Sequence, residues 1–238
     1  MRSVSGDHYF SAEPAVAAAR RHVEFDLAGR RFGLASASGV FSADRLDLGT
    51  SVLLHKAQLP GPEVTGNLLD LGCGYGAIAT VLAVSAPAAG VYAVDVNRRA
   101  LDLARDNATA LGVADRMVVA APDDVPPDVR FAQIWSNPPI RVGKDELHTL
   151  LARWLPRLTP DGVAWLVVAR NLGADSLQTW LTAHGWPTHR HASQKGYRVF
   201  RVTPTAESRN AAESRNAAET ANAAETGNAA GSRNMGDR

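Results

Sequence analysis

Residues 67–76 read NLLDLGCGYG, an apolar run that passes directly into closely spaced glycines. The apolar run predicts a buried β-strand, and the stretch that follows Gly76 predicts a helix. Gly72 and Gly74 let the backbone turn tightly and approach a ligand, because glycine has no Cβ. The stretch therefore predicts a ligand-binding turn at the carboxyl end of a strand, where open α/β sheets bind their ligands.

Strands and helices alternate regularly on both sides of this turn. Further strands are predicted at 91–94, 117–121, 131–136 and 163–168, and helices at 76–85, 98–111, 144–158 and 174–184. Such alternation predicts an α/β fold with a doubly wound, mostly parallel sheet that helices cover on both faces. Segments 189–191 and 197–202 flank Lys195 and Gly196 and predict an antiparallel hairpin at the C-terminal end.

The chain divides into three predicted segments. Residues 1–63 form an N-terminal elaboration, with a hairpin around residues 28–30, a loop and a helix at 47–56. Residues 64–205 form the ligand-binding α/β domain. Residues 206–238 repeat a hexapeptide that contains no Leu, Ile, Val, Phe, Trp or Tyr, so this tail is predicted to be disordered.

Composition excludes several classes of protein. The 238 residues are 45% hydrophobic and 21% charged, which is typical of a globular protein, and no apolar run is long enough to span a membrane. No secretory signal opens the chain, and Cys73 as the single cysteine leaves no internal disulfide and no structural zinc site. We expect a cytoplasmic protein without a metal. Residues 1–205 carry 21 basic and 19 acidic side chains, so a nucleic-acid partner would need a local basic patch.

Acidic residues follow three of the predicted strands. Asp70 lies at a strand tip, where a carboxylate can receive a ligand ammonium directly or through water. Asp95 lies 21 residues after Gly74 and can accept both hydroxyls of a ribose, and Asp123 can accept from an adenine amino group. Asp70 would repel a pyrophosphate, and the glycine spacing differs from the dinucleotide pattern. The motif is instead typical of an S-adenosylmethionine site; the alternative is a structural turn with a solvated Asp95.

A second motif, IWSNPPI at residues 134–140, ends the fourth predicted strand. The two prolines cannot donate to a β-ladder, so the strand must stop in a stiff loop. Asn137 offers an amide oxygen, and Ser136 and Pro138 offer backbone carbonyls that can accept both hydrogens of a planar amino group. Such acceptance aims the nitrogen lone pair at a methyl donor, so catalysis needs orientation rather than a strong base. The alternative is a loop that only terminates the strand.

The ordered series of motifs resembles the small-domain class I methyltransferases, which include the bacterial 16S ribosomal RNA guanine-N2 methyltransferases. The matching motifs are HYFS at 8–11, GVFS at 39–42, DLGT at 47–50, DLGCGYG at 70–76, DVN at 95–97, NPPIR at 137–141 and GYRVF at 196–200. The resemblance implies a Rossmann-like fold and methyl transfer from S-adenosylmethionine to an exocyclic amine, with guanine N2 in ribosomal RNA as the expected acceptor.

The resemblance also assigns roles to residues. Catalysis is expected from Asn137, Pro138 and Pro139, and substrate contacts from Ile140 and Arg141. Cofactor contacts are expected from Phe41, Ser42, Asp70, Gly72, Cys73, Gly74, Asp95, Val96, Asp123 and Asn137.

The sequence departs from the resemblance in two respects. Ile140 stands where many relatives have an aromatic residue, which forfeits base stacking worth roughly 1–3 kcal/mol. The ribosomal enzymes also carry a second, related domain, and this chain has one copy. A protein glutamine N-methyltransferase and a non-catalytic binding module therefore stay open as alternatives. The basic clusters at 20–31 and 189–201 can position RNA phosphates or can be ordinary solvated side chains.

Overall fold

A computed structural model describes residues 19–138 and 143–205. The expected tail, the motif at 8–11 and three predicted site residues, Pro139, Ile140 and Arg141, lie outside the described residues. No helix of the described part is long and apolar enough to cross a membrane.

In the described part of the chain, seven strands form the central sheet and two more form a separate hairpin. The hairpin pairs β1 (Arg20–Leu27) with β2 (Arg30–Ala37), and the sheet contains β3 (Gly66–Leu71), β4 (Ala89–Val94), β5 (Met117–Ala120), β6 (Phe131–Ser136), β7 (Leu158–Ala169), β8 (Thr188–Gln194) and β9 (Tyr197–Val202). The sheet order is β5-β4-β3-β6-β7-β9-β8. The five strands β3 to β7 are parallel, whereas β9 runs antiparallel to β7 and to β8. The predicted fold class and its C-terminal hairpin are confirmed.

Within residues 19–138 and 143–205, five α-helices cover this sheet. They are α1 (Leu48–Lys56), α2 (Ala77–Ser85), α3 (Arg98–Ala110), α4 (Lys144–Trp154) and α5 (Ala174–Ala183). The prediction that α4 extends to residue 158 is wrong, because the helix gives way to a 3-10 turn over Leu155–Arg157. Pro156 explains the end, since a proline lacks the amide hydrogen of a helix interior and clashes with the preceding turn.

Apolar side chains of the parallel strands alternate between two cores. Leu68 and Trp135 face a core that includes Leu53 of α1, and Leu69 and Ile134 face a second core with the residues of α4 and α5. Because both faces are buried, the strands read as continuous apolar runs. Helix α1 therefore covers the same sheet, although it precedes the domain boundary that the sequence predicts at residue 64. That domain boundary stays a prediction.

Buried Asn107 of α3 fastens the N-terminal hairpin to the glycine-rich turn. Its Nδ2 donates to the carbonyl oxygens of Ala35 at 2.9 Å and Tyr75 at 2.8 Å, and its Oδ1 accepts from the Ala35 amide at 2.7 Å. Val23 and Leu34 of the hairpin pack with Tyr75 in a third apolar cluster. These contacts hold the hairpin against the edge of the sheet that carries the site.

Candidate active site

The glycine-rich turn folds over the end of the neighbouring strand β4. The amides of Gly72 and Cys73 donate to the carbonyl oxygen of Val94 at 2.8 and 3.0 Å. Gly72 and Gly74 have φ angles of 76° and 54°, a region that favours glycine because a side chain there is strained. A Cβ on Gly74 would meet no atom within 4 Å, so the turn opens onto free space as a ligand cradle requires.

Asp95 stabilises this turn from the end of β4. Its Oδ2 accepts from the Gly74 amide at 2.9 Å, and its Oδ1 accepts from the Asn97 amide at 2.9 Å. The carboxylate is only 6% exposed, and this burial raises its pKa although the amide hydrogen bonds oppose the rise. The alternative of a solvated Asp95 is wrong. Each carboxylate oxygen can accept a second hydrogen bond, which suits the predicted contact with a ribose.

Asp70 is fully buried beneath the turn. Its Oδ2 accepts from the Ala79 amide at 2.8 Å, so the carboxylate satisfies a donor in the first turn of α2. Its buried Oδ1 has no hydrogen-bond partner among the described residues. Burial raises the pKa of Asp70 to about 8, and the charge of Asp95 adds to the rise. An orphaned buried acceptor beside an open glycine turn fits the ammonium that S-adenosylmethionine would present.

The loop before α1 brings Phe41 and Ser42 to the same cleft. Asn97, buried at the start of α3, donates from Nδ2 to the Gly39 carbonyl oxygen at 3.0 Å. Ser42 adopts a φ of 53° and donates from its hydroxyl to the Arg45 carbonyl oxygen at 2.7 Å. Phe41 is 42% exposed at the rim of the cleft. The loop is therefore held from α3 and by its own hydroxyl contact.

The cleft brings together six of the predicted site residues. It opens to solvent, and its lining includes Phe41, Ser42, Gly72, Cys73, Gly74 and Asn137. Burial and the charges of Asp95 and Asp70 raise the pKa of the Cys73 thiol, so this thiol has no nucleophilic character.

Five other predicted residues of the described chain lie outside the lining, namely Asp70, Asp95, Val96, Asp123 and Pro138. Asp70 and Asp95 support the turn from below, and Val96 is 45% exposed beside it, where an apolar ligand face can pack. Asp123 accepts from Arg153 at 2.8 Å and has a 90% exposed side chain, so an adenine contact would compete with an ion pair. The roles of these residues stay predictions.

The acceptor loop follows β6 beside the glycine-rich turn. The Ser136 hydroxyl donates to the Leu71 carbonyl oxygen at 2.7 Å, which joins the ends of β6 and β3. The Asn137 amide nitrogen donates to Asp47 Oδ2 at 2.7 Å and to Thr50 Oγ1 at 3.0 Å. Both amide hydrogens of Asn137 are thereby engaged, and its carbonyl oxygen is the group that it can offer to a substrate.

Asp47 has two functions in this arrangement. It caps α1, because its Oδ2 accepts from the Thr50 amide at 2.9 Å as well as from Asn137. Gly49 lies at the same point: a Cβ there would be 2.8 Å from the Tyr197 ring and 3.2 Å from Asn137 Oδ1. Asp47, Thr50 and Tyr197 were not predicted as site residues. The DLGT motif at 47–50 contained the signal, since an acidic residue before a helix is a typical N-cap.

Within residues 19–138 and 143–205, no cluster of three His, Cys, Asp or Glu side chains could hold a metal ion. The site consists of backbone donors, buried carboxylates and one oriented amide.

Residues 31–201 match the family model of the methyltransferase small domain. The chain is 34% identical over 172 residues to the uncharacterized protein YbxB of Bacillus subtilis, a match that covers 71% of this chain and 85% of that protein. It is 34% identical over 197 residues to the ribosomal RNA small subunit methyltransferase C of Pseudomonas aeruginosa, covering 79% of this chain and 56% of that protein. The chain thus spans just over half the length of this methyltransferase.

A solved 16S rRNA N2 methyltransferase of T. thermophilus, in complex with AdoMet and guanosine, shares the fold with a TM-score of 0.66. The match is 23% identical and covers 81% of this chain and 52% of that chain. The family match confirms the prediction of a methyltransferase domain, and the shared fold confirms the Rossmann-like architecture. The chain belongs to the methyltransferase small domain family.

Proposed function

We propose that this protein transfers a methyl group from S-adenosylmethionine to an exocyclic amine, namely N2 of a guanine in ribosomal RNA. The observation that carries the proposal is the orientation of Asn137. Its amide hydrogens donate to Asp47 and Thr50, so its oxygen is directed to accept from a substrate. An amide oxygen held by two hydrogen bonds needs no reorganisation when the acceptor amine arrives.

The residues of the chain position the amine rather than deprotonate it. S-adenosylmethionine supplies the electrophilic methyl group on a sulfonium when it is bound. Asn137 Oδ1 and the Pro138 carbonyl oxygen accept the two amine hydrogens, which draws the nitrogen lone pair out of conjugation and directs it toward the cleft. The proton leaves after transfer, so no general base is required among these residues. Orientation of this kind can lower the activation free energy by several kcal/mol.

The residues around the glycine-rich turn would bind the cofactor. Asp70 Oδ1 would accept from the ammonium, Asp95 from the ribose hydroxyls and Asp123 from the adenine amino group, while Val96 and Phe41 would give apolar contacts. Gly72, Gly74 and Cys73 leave the room that the cofactor needs. Ile140 and Arg141 are the residues that we expect to contact the base, and a catalytic role for Pro139 stays a prediction from the sequence.

The named relatives support the choice of acceptor. The methyltransferase C proteins are named for small-subunit ribosomal RNA, and the T. thermophilus enzyme was solved with guanosine. RNA is therefore the partner that we propose, and a cytoplasmic location follows from that partner. An acceptor amine must be reached outside base stacking, so the target is an unpaired or extruded guanine.

Tritiated S-adenosylmethionine incubated with ribosomal RNA and with protein fractions tests this proposal. We expect label in RNA, recovered as N2-methylguanosine, and a loss of about 100-fold or more in rate for Asn137→Ala, the cost of losing one oriented donor or acceptor at a reacting group. Asn67→Ala serves as the control, because Asn67 makes its hydrogen bond to the Arg130 carbonyl oxygen at the opposite end of β3. Label in protein would favour glutamine methylation, and label in neither fraction would favour a non-catalytic module.

A further inference from the structure

A cationic pocket lies beside the acceptor loop, at the turn between β8 and β9. Four of its eight lining residues are cations, namely Arg170, Arg190, Lys195 and Arg198, and none is acidic. The pocket encloses about 550 Å³ of free space and opens to solvent. Because residues 1–205 carry almost equal numbers of basic and acidic side chains, this is a local concentration of positive charge.

The cationic pocket shares the edge of the sheet that carries the acceptor loop. Strand β7 lies between β6, which ends before Asn137, and β9, which begins at Tyr197. Two strand spacings of about 4.8 Å separate β6 from β9, and Tyr197 pairs with Ala169, three residues beyond the Leu166 that pairs with Ser136. The start of β9 therefore lies roughly 14 Å from the end of β6. Tyr197 connects the two, since it lines the pocket while its ring packs against Gly49 beside Asn137.

The backbone holds the cations of the pocket in place. Lys195 and Gly196 form the two-residue turn with φ angles of 49° and 80°, and the Arg170 amide donates to the Gly196 carbonyl oxygen at 2.8 Å. Arg198, with a side chain only 13% exposed, pairs with Asp175. Arg170, Arg190 and Lys195 form no ion pair with any carboxylate of the described residues, so their charges are available to a ligand.

We propose that the cationic pocket binds a phosphodiester group of the RNA strand next to the methylated guanine. Contacts to phosphates position a nucleic acid without reading its sequence, and guanidinium groups match the geometry of phosphate oxygens. A phosphate held in the cationic pocket fixes the strand while the base enters the cleft. The inference rests on the proposed function, because it takes RNA as the substrate.

The test compares two double variants that lose the same charges. Arg190→Gln/Lys195→Gln removes two of the four cations of the pocket, while Lys56→Gln/Arg130→Gln removes one lysine and one arginine from the other end of the sheet, where α1 ends and β6 begins. Binding of a fluorescent RNA hairpin with unpaired guanines is measured by anisotropy across salt concentrations. For the pocket variant we expect an increase in Kd on the order of tenfold and a salt slope smaller by about 0.7, the contribution of one single-strand phosphate contact.

The same RNA assayed for methylation separates the two proposals. We expect a raised KM for RNA with unchanged kcat in the pocket variant, and wild-type values in the control variant. Equal Kd values and salt slopes for the wild type and the pocket variant would refute the proposal that the cationic pocket binds RNA, whether or not the RNA is methylated. Weakened binding without methylation by the wild type would support the pocket and refute the proposed activity. Failure of the wild type to bind RNA would overturn both.

Discussion

Replacing Asp47 by alanine is expected to lower the rate of methyl transfer much more than it lowers stability. The Asp47 carboxylate can only accept hydrogen bonds, so the side-chain amide of Asn137 must point its nitrogen, and not its oxygen, at Asp47. The Thr50 hydroxyl can donate or accept, so it tolerates either orientation. Without Asp47 the side-chain amide of Asn137 can flip and present a donor where the acceptor amine needs an acceptor.

The magnitude follows from the hydrogen bonds that are lost. A hydrogen bond to a charged group contributes about 1.5–3 kcal/mol, so loss of the orienting contact predicts a kcat lower by about 10-fold to 150-fold. The cap of α1 is lost as well, because Asp47 Oδ2 also accepts from the Thr50 amide, and an N-cap contributes about 1 kcal/mol to stability. The rate effect therefore exceeds what a loss of folded protein could explain.

Single-turnover methylation of RNA, urea unfolding and S-adenosylmethionine binding measure these effects separately. We expect Asp47→Ala to lose kcat with little change in cofactor affinity, and Asp47→Asn to recover part of the rate because its amide oxygen can still accept. Asp44→Ala serves as the control, since Asp44 pairs with Arg21 on the exposed surface. A kcat for Asp47→Ala within threefold of the wild type would refute the orienting role.

Three further changes test the structure. The pKa of Asp70 rises from its ordinary 3.8 to about 8, so the folded state keeps a proton that the unfolded chain releases. The free energy of unfolding of the ligand-free protein should therefore fall as pH rises between these values. Asp70→Asn should make that slope shallower in urea titrations across pH and leave the part that the raised pKa of Asp95 contributes. Gly49→Ala should lower kcat in single-turnover assays, because its Cβ would displace the Tyr197 ring; intact α-helical circular dichroism would exclude unfolding as the cause. Asn107→Ala should cost about 3 kcal/mol in urea unfolding, because one buried and two partly buried backbone groups lose their partner; a loss below 1 kcal/mol would refute its role in holding the hairpin.

The central sheet could be predicted because each parallel strand is buried on both faces and reads as an apolar run. The start of β7 was missed for a local reason. Phe131 pairs with Leu158 and Gln133 pairs with Val163, so residues 159–162 of β7 bulge out of the ladder. Their sequence, TPDG, is typical of a turn, and turn chemistry is tolerated where the ladder is interrupted. A strand that contains such a bulge cannot be recognised from alternation or apolar content alone.

The candidate site was predictable to the extent that its motifs are local. Residues 70–76 and 137–138 could be assigned because each motif lies at the carboxyl end of a strand, and those ends share one edge of the sheet. The contact between Asp47 and Asn137 joins residues 90 positions apart, so neither motif alone indicates it. The ion pair of Asp123 with Arg153 could not be predicted from the sequence either, because it joins the turn after β5 to helix α4, 30 positions later in the chain.

A single atom, Oδ2 of Asp47, both caps α1 and orients Asn137. Few other side chains at position 47 can therefore perform both functions. Serine is as good an N-cap as aspartate, but its hydroxyl is shorter and can also donate. Glutamate is acceptor-only, yet its longer side chain suits the cap poorly. Asp47→Ser should therefore unfold at the wild-type urea concentration while its kcat falls nearly as far as that of Asp47→Ala. If rate and stability instead fell together in this variant, Asp47 would act on Asn137 only through the fold of α1.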